Sequence, residues 1–428
     1  MSSSALFVGI DLGTSGCRAV AIDKVAEPVA AAAVTFPLPL HEDAVAEQDP
    51  ELWWWAVGEV LQALCGHIDT GSVRALSVDG TSGTLLVCDP EGTPVTAGLM
   101  YNDARASAQA EQVAAVAPLN CGAHGPTASL AKLLYLKAPA EALGGRHALH
   151  QAEWITGRLT GRFGWGDENN CLKLGYDVMG RCWPSWLNRL GIPRDWLPHV
   201  RVPGTDLGPL DPAVSRRFGF APDCRVAAGT TDSIAAFLAT GAAGRGEAVT
   251  SLGSTLVLKV LSDRPVFDPG AGVYSHRLGT RWLVGGASNS GGAVLRHYFT
   301  REQLESMTPR LSPEQATGLD YYPLLAPGER FPVSDPHLAP RLTPRPVQAE
   351  LFLQGMLEGI ARIEAAGYRR LAELGAPAPL SVRSVGGGAG NAAWTRIRAR
   401  ELKVPMIAPR HSDAAYGAAL LAAGRILA

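Results

Sequence analysis

Apolar and polar positions at the start of the chain predict a β-hairpin. In LFVGIDLGTSGCRAVAID (6–23), two apolar runs flank a turn of glycine, serine and threonine, and such small residues favour tight turns between strands. The same arrangement returns in EAVTSLGSTLVLKVL (247–261). This repeat suggests an internal duplication in which two related domains each contribute such a turn. The alternative is two unrelated hairpins, because Gly-Ser-Thr turns are common.

Segments of helical and extended pattern alternate through the rest of the chain. The spacing of apolar residues predicts helices over 51–65, from about Asp232 onward, over 351–374, from GGGAGNAAW to about 401, and over 413–427. It predicts strands within 73–95 and over 224–229, 380–385 and 403–408. Residues 127–161 predict two helices separated by Gly144-Gly145, and the proline-rich stretches 193–212 and 309–346 predict loops. Together these elements indicate an α/β fold.

Length, composition and charge limit the possible classes of protein. With 428 residues, of which 46% are hydrophobic and 18% charged, the chain can bury the cores of two domains. A net charge of −2 provides no broad positive field for a nucleic-acid partner. No apolar run reaches the roughly 18 to 20 residues that span a bilayer, and residues 1–4 carry no signal-peptide pattern. We therefore expect a cytoplasmic protein with no membrane partner.

The cysteines and histidines give little support for a metal centre. The seven cysteines are scattered and form no C-x-x-C pair, which argues against a disulfide framework or a zinc site and for a reducing compartment. His147, His150 and Glu153 could share one helical face and reach a metal, but no fourth ligand suggests itself and a solvated helix face is the simpler interpretation. P-loop, H-E-x-x-H and G-x-S-x-G motifs are absent from the sequence.

Three short segments of small or acidic residues could carry chemistry. In Asp11-Leu12-Gly13-Thr14-Ser15-Gly16, backbone N–H groups and hydroxyls can converge on an anion, and Asp11 offers a carboxylate to hydrated magnesium. A plain β-turn favours the same residues. Asp232 could accept a proton from an attacking hydroxyl, or it could cap the helix that begins there. Residues 386–391 (GGGAGN) let a flat or anionic ligand approach the backbone, or they form a tight turn without a ligand.

Taken in order, these segments resemble the FGGY family of carbohydrate kinases, in the actin-like ATPase superfamily. The matching segments span nearly the whole chain: GIDLGTSGCRAVAID (9–23), WITGRLTG (154–161), AAGTTDSIAAFLATG (227–241), EAVTSLGST (247–255) and SVGGGAGNAAW (384–394). The resemblance is strongest to a compact subgroup of cyanobacterial and plant sugar kinases similar to D-ribulose kinase. There DGTSGT (79–84) replaces the G-Q-M-H-G-type loop of xylulose and glycerol kinases, so Asp79 and Ser82 are weaker candidates for sugar contacts than the residues of the other segments.

The resemblance implies a fold, two cofactors and a set of site residues. The fold would be α/β, with two actin-like (ribonuclease H-like) domains flanking a deep cleft. Residues 1–240 plus 413–428 would bind mainly the sugar, and residues 241–412 would bind mainly the nucleotide. ATP and Mg²⁺ would be the cofactors, and Asp232 matches the catalytic base. The sugar contacts would be Asp11, Ser15, Asp79, Ser82 and Asp232. The nucleotide contacts would be Gly13, Thr14, Ser15, Gly253, Ser254, Thr255, Gly387, Gly388 and Asn391, and Asp11 would lie near the metal.

The reaction implied by the resemblance is phosphorylation of the terminal hydroxyl of a ketopentose, with D-ribulose giving D-ribulose 5-phosphate. D-xylulose is the alternative within this class, because the two ketoses differ at one stereocentre. A non-catalytic sugar or nucleotide sensor is an alternative of another class, and it would need no base. An actin-like ATPase or chaperone would instead turn over ATP without a sugar. The expected partners are a small-molecule sugar and ATP, and the sequence leaves open whether the chain is a monomer or a homodimer.

Overall fold

The computed structural model describes residues 5–427; the ends of the predicted first domain, residues 1–4 and residue 428, lie outside the described residues. Strands and helices alternate along the chain, which confirms the α/β class. The strands are β1 Leu6–Leu12, β2 Gly16–Asp23, β3 Pro28–Thr35, β4 Leu40–Glu42, β5 Val45–Gln48, β6 Val73–Gly80, β7 Leu85–Cys88, β8 Gly98–Leu99, β9 His147–His150, β10 Trp165–Asp167, β11 His199–Arg201, β12 Asp206–Pro209, β13 Arg225–Thr231, β14 Glu247–Leu252, β15 Leu256–Ser262, β16 Tyr274–Leu278, β17 Arg281–Ser288 and β18 Ser381–Val385. The α-helices are α1 Pro50–Cys65, α2 Ser107–Ala114, α3 Ser129–Ala142, α4 Gln151–Thr160, α5 Pro212–Phe218, α6 Asp232–Ala239, α7 Gly292–Tyr298, α8 Arg301–Met307, α9 Ala349–Glu373, α10 Ala392–Leu402 and α11 Ala414–Ala422.

The described chain separates into two compact units. Unit 1 contains the described residues up to Ala239, the short segment Arg277–Gly279, and the described residues from Asp413 onward. Unit 2 contains Thr240–His276 and Thr280–Ser412. Among the described helices, none has the length and apolar character needed to cross a bilayer.

The main sheet of unit 1 has six strands in the order β12-β13-β6-β1-β2-β3. The first hairpin, β1 with β2, is antiparallel as the sequence predicts, whereas β1 pairs in parallel with β6, and β6 in parallel with β13. Because β1, β6 and β13 run in the same direction, their C-terminal ends meet at one edge of the sheet. Ligands of open α/β sheets bind at this kind of edge.

Helix α11 packs directly on β1 and α6 within unit 1. A Cβ atom on Gly9 of β1 would lie 2.0 Å from the carbonyl oxygen of Ala415, and a Cβ atom on Gly417 would lie 1.9 Å from the carbonyl oxygen of Ala235. Both contacts are backbone to backbone, so no side chain fits at either glycine. The helix is therefore held closer to the sheet than side-chain packing alone would allow.

Unit 2 contains a five-stranded sheet in the order β16-β17-β15-β14-β18. Its hairpin, β14 with β15, is antiparallel, and β14 pairs in parallel with β18. This is the pairing pattern of β1 with β2 and β6 in unit 1, as the repeated turn in the sequence suggests. The long helix α9 and helix α10 bury their apolar residues in the core of this unit.

Three sequence predictions about secondary structure are wrong. The stretch 193–212 is not only loop, because β11 and β12 lie within it. Residues 127–161 do not form two helices alone, because β9 lies between α3 and α4 and pairs with β7. The sequence analysis places HALH (147–150) in the second helix, but these residues pair with β7 and form a strand. Residues 403–408 form no regular strand; the chain there makes only an isolated bridge between Met406 and Val382.

Candidate active site

Asp11 and Asp79 lie side by side on neighbouring parallel strands at the C-terminal edge of the unit 1 sheet. They are register partners in the pairing of β1 with β6, and both are buried. Neither carboxylate oxygen of Asp79 meets a nitrogen or hydroxyl donor among the described residues, and its neighbour is the carboxyl group of Asp11. Burial raises the pKa of Asp79 well above its ordinary value, and the charges of Asp11, Asp232 and Asp413 raise it further.

Arg18 faces Asp11 from the second strand of the hairpin. Its Nη1 donates to Oδ2 of Asp11 at 3.2 Å, and its side chain is 57% exposed, whereas that of Asp11 is 8% exposed. Burial raises the pKa of Asp11, and the hydrogen bond to Asp79 and the charge of Arg18 act in the opposite direction. The sequence analysis missed Arg18. In the predicted hairpin, residues at equal distances from the turn lie opposite each other, and residue 18 is therefore opposite residue 11. This register could have identified Arg18 from the sequence.

Asp232 begins α6 directly after β13, at the same edge of the sheet. Thr230, two residues earlier, is the register partner of Asp79, and the charge of Asp232 acts on the Asp79 carboxyl group. The side chain of Asp232 is partly exposed, and its Oδ1 accepts a hydrogen bond from the backbone N–H of Ser233 at 2.5 Å. Asp232 is the first residue of α6 and is only partly buried, so its carboxylate borders the solvent at this edge of the sheet.

The turn between β1 and β2 is fixed by its backbone. The N–H of Gly13 donates to the carbonyl of Gly16 at 2.9 Å, and the carbonyl of Ser15 accepts from the N–H of Phe36 at 3.0 Å. A Cβ atom on Gly16 would lie 2.9 Å from the carbonyl oxygen of Val34 in β3, so this position requires glycine. Thr14 is half-buried and Ser15 is exposed, and their hydroxyls can therefore reach a ligand.

Two lysines hold the backbone of the loop that follows β6, at Ser82 and Gly83. Nζ of Lys173 donates to the carbonyl of Ser82 at 3.1 Å, and Nζ of Lys132 donates to the carbonyl of Gly83 at 2.8 Å. Burial lowers the pKa of Lys132 to about 7, and the charge of Lys173 contributes to the same shift. Ser82 itself is half-buried, so its side chain lies on a loop whose backbone position is set by these two contacts.

Two buried amides beside this loop keep an unpaired atom. Oε1 of Gln151 accepts from the N–H and the hydroxyl of Thr81 at 3.0 and 2.8 Å, while its Nε2 has no partner among the described residues. Nδ2 of Asn169 donates to the hydroxyl of Thr230 at 3.0 Å, while its Oδ1 likewise has none. An unpaired buried polar atom costs about 1–3 kcal/mol, so such atoms indicate a place for a hydroxyl-bearing ligand or ordered water.

In unit 2, the predicted nucleotide residues lie on two adjoining turns. Gly253, Ser254 and Thr255 connect β14 to β15, and the glycine-rich turn 386–391 connects β18 to α10. The N–H of Gly388 donates to the carbonyl of Leu252 at 3.0 Å, which joins the two turns. No atom lies within 4 Å of a Cβ built on Gly387, so the turn is open at this residue.

Asn391 has a structural part in this arrangement. Its Oδ1 accepts from the N–H of Trp394 at 2.9 Å as the N-cap of α10, and its Nδ2 donates to the hydroxyl of Thr308 at 3.2 Å. The second turn carries a residue that the sequence analysis missed, because Nη2 of Arg296 donates to the hydroxyl of Ser254 at 2.8 Å. Nothing in the local sequence links a residue of α7 to this turn.

His150 and Glu153 do not lie on a solvated helix face, and that interpretation is wrong. Both are buried, and the backbone N–H of His150, the N-cap of α4, donates to Oε2 of Glu153 at 2.8 Å, while Nδ1 of His150 lies 2.7 Å from the same oxygen. Together with Cys171 they bring three possible metal-ligand atoms within 4.8 Å of one another. Nε2 of His150 lies 2.9 Å from the hydroxyl of Ser129, and the thiol of Cys171 donates to Glu153. These protein contacts already occupy the three side chains, so the cluster supports the start of α4.

Comparison with protein families matches both parts of the chain. Residues 6–239 match the model of the FGGY family of carbohydrate kinases, N-terminal domain. Residues 248–425 match the model of the C-terminal domain of the same family.

Individual relatives agree with this result. The chain is 26% identical to the xylulose kinase of Escherichia coli K12 over 411 residues, which cover 92% of this chain and 84% of that one. The crystal structure of a xyloylose kinase from Brucella ovis superposes with a TM-score of 0.88 at 24% identity, covering 97% of this chain and 90% of that one. That of a gluconate kinase from Lactobacillus acidophilus superposes with a TM-score of 0.86 at 21% identity, covering 98% and 89%. These superpositions confirm the predicted fold.

Proposed function

The chain belongs to the FGGY family of carbohydrate kinases, and on that premise we propose that it phosphorylates the terminal hydroxyl of a ketopentose. It is an ATP-dependent phosphotransferase of the carbohydrate kinase class, and its cofactors are ATP and Mg²⁺. The observation that carries the proposal is the grouping of Asp11, Asp79 and Asp232 at the ends of three parallel strands. A carboxylate that is partly open to solvent beside two buried ones suits proton abstraction from a bound hydroxyl.

Asp232 is the proposed base. As the terminal C5 hydroxyl attacks the γ-phosphorus of ATP, its proton would pass to the carboxylate of Asp232, and the bond from the γ-phosphorus to the bridging oxygen would break and release ADP. Phosphoryl transfer depends mainly on positioning and on neutralising the charge of the phosphate oxygens. Arg18, half-exposed beside Asp11, could neutralise part of this charge, because its guanidinium can bind a phosphate oxygen.

Asp11 is the residue proposed to hold Mg²⁺. Magnesium prefers carboxylate and water oxygens, and the carboxyl groups of Asp11 and Asp79 supply such oxygens without competing donors on Asp79. The ion would neutralise charge on the ATP phosphates. Asp11 would orient it through its coordinated water.

The two units take different ligands in this proposal. The first domain, residues 1–240 plus 413–428, would bind mainly the sugar, and the second, residues 241–412, would bind mainly the nucleotide. The sugar contacts are Asp11, Ser15, Asp79, Ser82 and Asp232. The nucleotide contacts are Gly13, Thr14, Ser15, Gly253, Ser254, Thr255, Gly387, Gly388 and Asn391. The enzyme would act in the cytoplasm, on a small-molecule sugar and ATP.

D-ribulose is the proposed sugar, because the loop DGTSGT (79–84) resembles that of D-ribulose kinases. D-xylulose is the second candidate, and it is favoured by the relatives that are xylulose kinases. Steady-state assays of ADP release with Mg-ATP and each ketose distinguish them. We expect kcat/KM to be higher for D-ribulose. A higher value for D-xylulose would replace that assignment, and absence of a phosphorylated sugar with any ketopentose, polyol or sugar acid would reject the kinase proposal.

A further inference from the structure

The turn between β14 and β15 is locked onto the start of α7 by backbone contacts. The N–H of Gly292 donates to the carbonyl of Gly253 at 2.9 Å, and the N–H of Ala293 donates to the carbonyl of Ser254 at 3.0 Å. A Cβ atom on Gly291 or Gly292 would lie 2.7 Å from one of these two carbonyl oxygens. The close approach therefore requires glycine at both positions, and α7 and the turn form one rigid piece of backbone.

Arg296 lies one helical turn beyond this lock. Four residues along an α-helix return the chain to the same face, so Arg296 lies above the turn that Gly292 contacts. Its Nη2 donates to the hydroxyl of Ser254 at 2.8 Å, and its side chain is exposed.

The charge of Arg296 is not balanced by a carboxylate. In the described chain Arg296 forms no ion pair, in contrast to Arg301 on the next helix, which pairs with Glu305 at 2.8 Å. A guanidinium that is held by a neutral hydroxyl on a glycine-bearing turn is available to an anion. Guanidinium groups bind phosphate oxygens through two parallel hydrogen bonds, and the positive charge strengthens both.

We propose that Arg296 is a phosphate-binding residue of the nucleotide site, and that it contacts the polyphosphate of a bound nucleoside di- or triphosphate. The inference rests on the proposed binding of ATP to this turn. The rigid link through Gly291 and Gly292 fixes the helix that carries Arg296, and the hydroxyl of Ser254 holds the guanidinium near the turn. Arg296 then adds a positive charge to the N–H and hydroxyl donors of this turn.

Binding of ADP and of adenosine to the whole protein, measured by calorimetry, tests the proposal. For Arg296→Ala and Arg296→Gln we expect the affinity for ADP to fall about 10-fold to 100-fold, the range of one or two charge-assisted hydrogen bonds. The affinity for adenosine should stay at the parent value, because adenosine carries no phosphate. Arg296→Lys should recover part of the loss. The matched control is Arg301→Ala, another exposed arginine of unit 2, and it should leave both affinities unchanged.

Three results would overturn the inference. If both Arg296 variants bind ADP as tightly as the parent protein does, Arg296 makes no phosphate contact. If ADP and adenosine lose affinity equally, the residue supports the fold of the site and does not bind phosphate. If the parent protein itself binds no ADP, the proposed nucleotide site fails and the inference fails with it.

Discussion

The guanidinium of Arg398 lies 2.6 and 2.7 Å from the two carboxylate oxygens of Glu364, and neither side chain is exposed to solvent. Arg398 also donates to the hydroxyl of Ser384 on β18, and Glu364 accepts from the hydroxyl of Thr250 on β14. Both strands lead into the turns proposed to bind the nucleotide. The ion pair therefore ties α9 and α10 to the two strands just before these turns.

Removing one partner of this ion pair should strongly destabilise the protein. In Glu364→Gln the charge of Arg398 stays buried without a counter-ion, and the expected loss in free energy of unfolding is about 3–5 kcal/mol. Denaturation by urea, followed by the fluorescence of the tryptophans, measures it. The control is Glu350→Gln, which breaks a surface pair with Arg310 and should cost less than about 1 kcal/mol. Similar losses for the two variants would contradict the importance of burial here.

Asp232→Asn should nearly abolish sugar phosphorylation without preventing binding. The amide cannot take up the proton of the attacking hydroxyl, so kcat should fall about 10²-fold to 10⁴-fold, the usual contribution of a general base. Coupled measurement of ADP release gives the rate, and calorimetry with ADP checks that the variant is folded. Asp206→Asn, at an exposed carboxylate paired with Arg225, is the control. Equal rates in the Asp232 variant and the parent would remove Asp232 from the mechanism and favour a sensor or a sugar-independent ATPase.

Lys173→Met should weaken sugar binding selectively. Nζ of Lys173 holds the carbonyl of Ser82, and one such hydrogen bond contributes about 0.5–1.5 kcal/mol, so KM for the ketose should rise about 2-fold to 10-fold while KM for ATP stays constant. Lys137→Met, at a partly exposed lysine on α3 that pairs with Glu141, is the control. A parallel rise in both KM values would show that the lysine supports the fold and not the loop.

Asp167→Asn should change how stability depends on pH. Burial raises the pKa of Asp167 to about 7, and the neighbouring charge of Glu153 contributes. The folded protein therefore holds a proton that the unfolded chain releases near the ordinary aspartate pKa of 3.8, so the stabilisation is complete below that pH and is lost as pH rises through about 7. Asparagine does not titrate.

Urea denaturation of the Asp167 variant and the parent at pH 5 and pH 8 measures this effect. The stability of the variant relative to the parent should be greater at pH 8 than at pH 5. Comparing the two proteins at each pH cancels the titration of the groups that do not interact with Asp167. A difference that is the same at both pH values would mean that Asp167 is ionised throughout this range.

Sequence reasoning predicted the elements whose signal is local. Apolar runs on both sides of small residues predicted the hairpins at 6–23 and 247–261. The spacing of apolar residues predicted α9. Strand β9 was missed because four residues carry too little periodicity to separate a strand from a helix, and its identity depends on pairing with β7. Arg296 was missed for a similar reason, since its contact with Ser254 joins residues 42 positions apart.

The contact between Gly9 and Ala415 joins the first strand to the last helix. During translation at the ribosome, β1 emerges about 400 residues before its partner, and all of unit 2 is synthesised in between. During that period Gly9 of β1 is not covered by α11, although domains generally fold as they emerge. Unit 2 can thus complete its core first, and a nascent chain stopped before α11 would expose the backbone of β1 that this helix packs against.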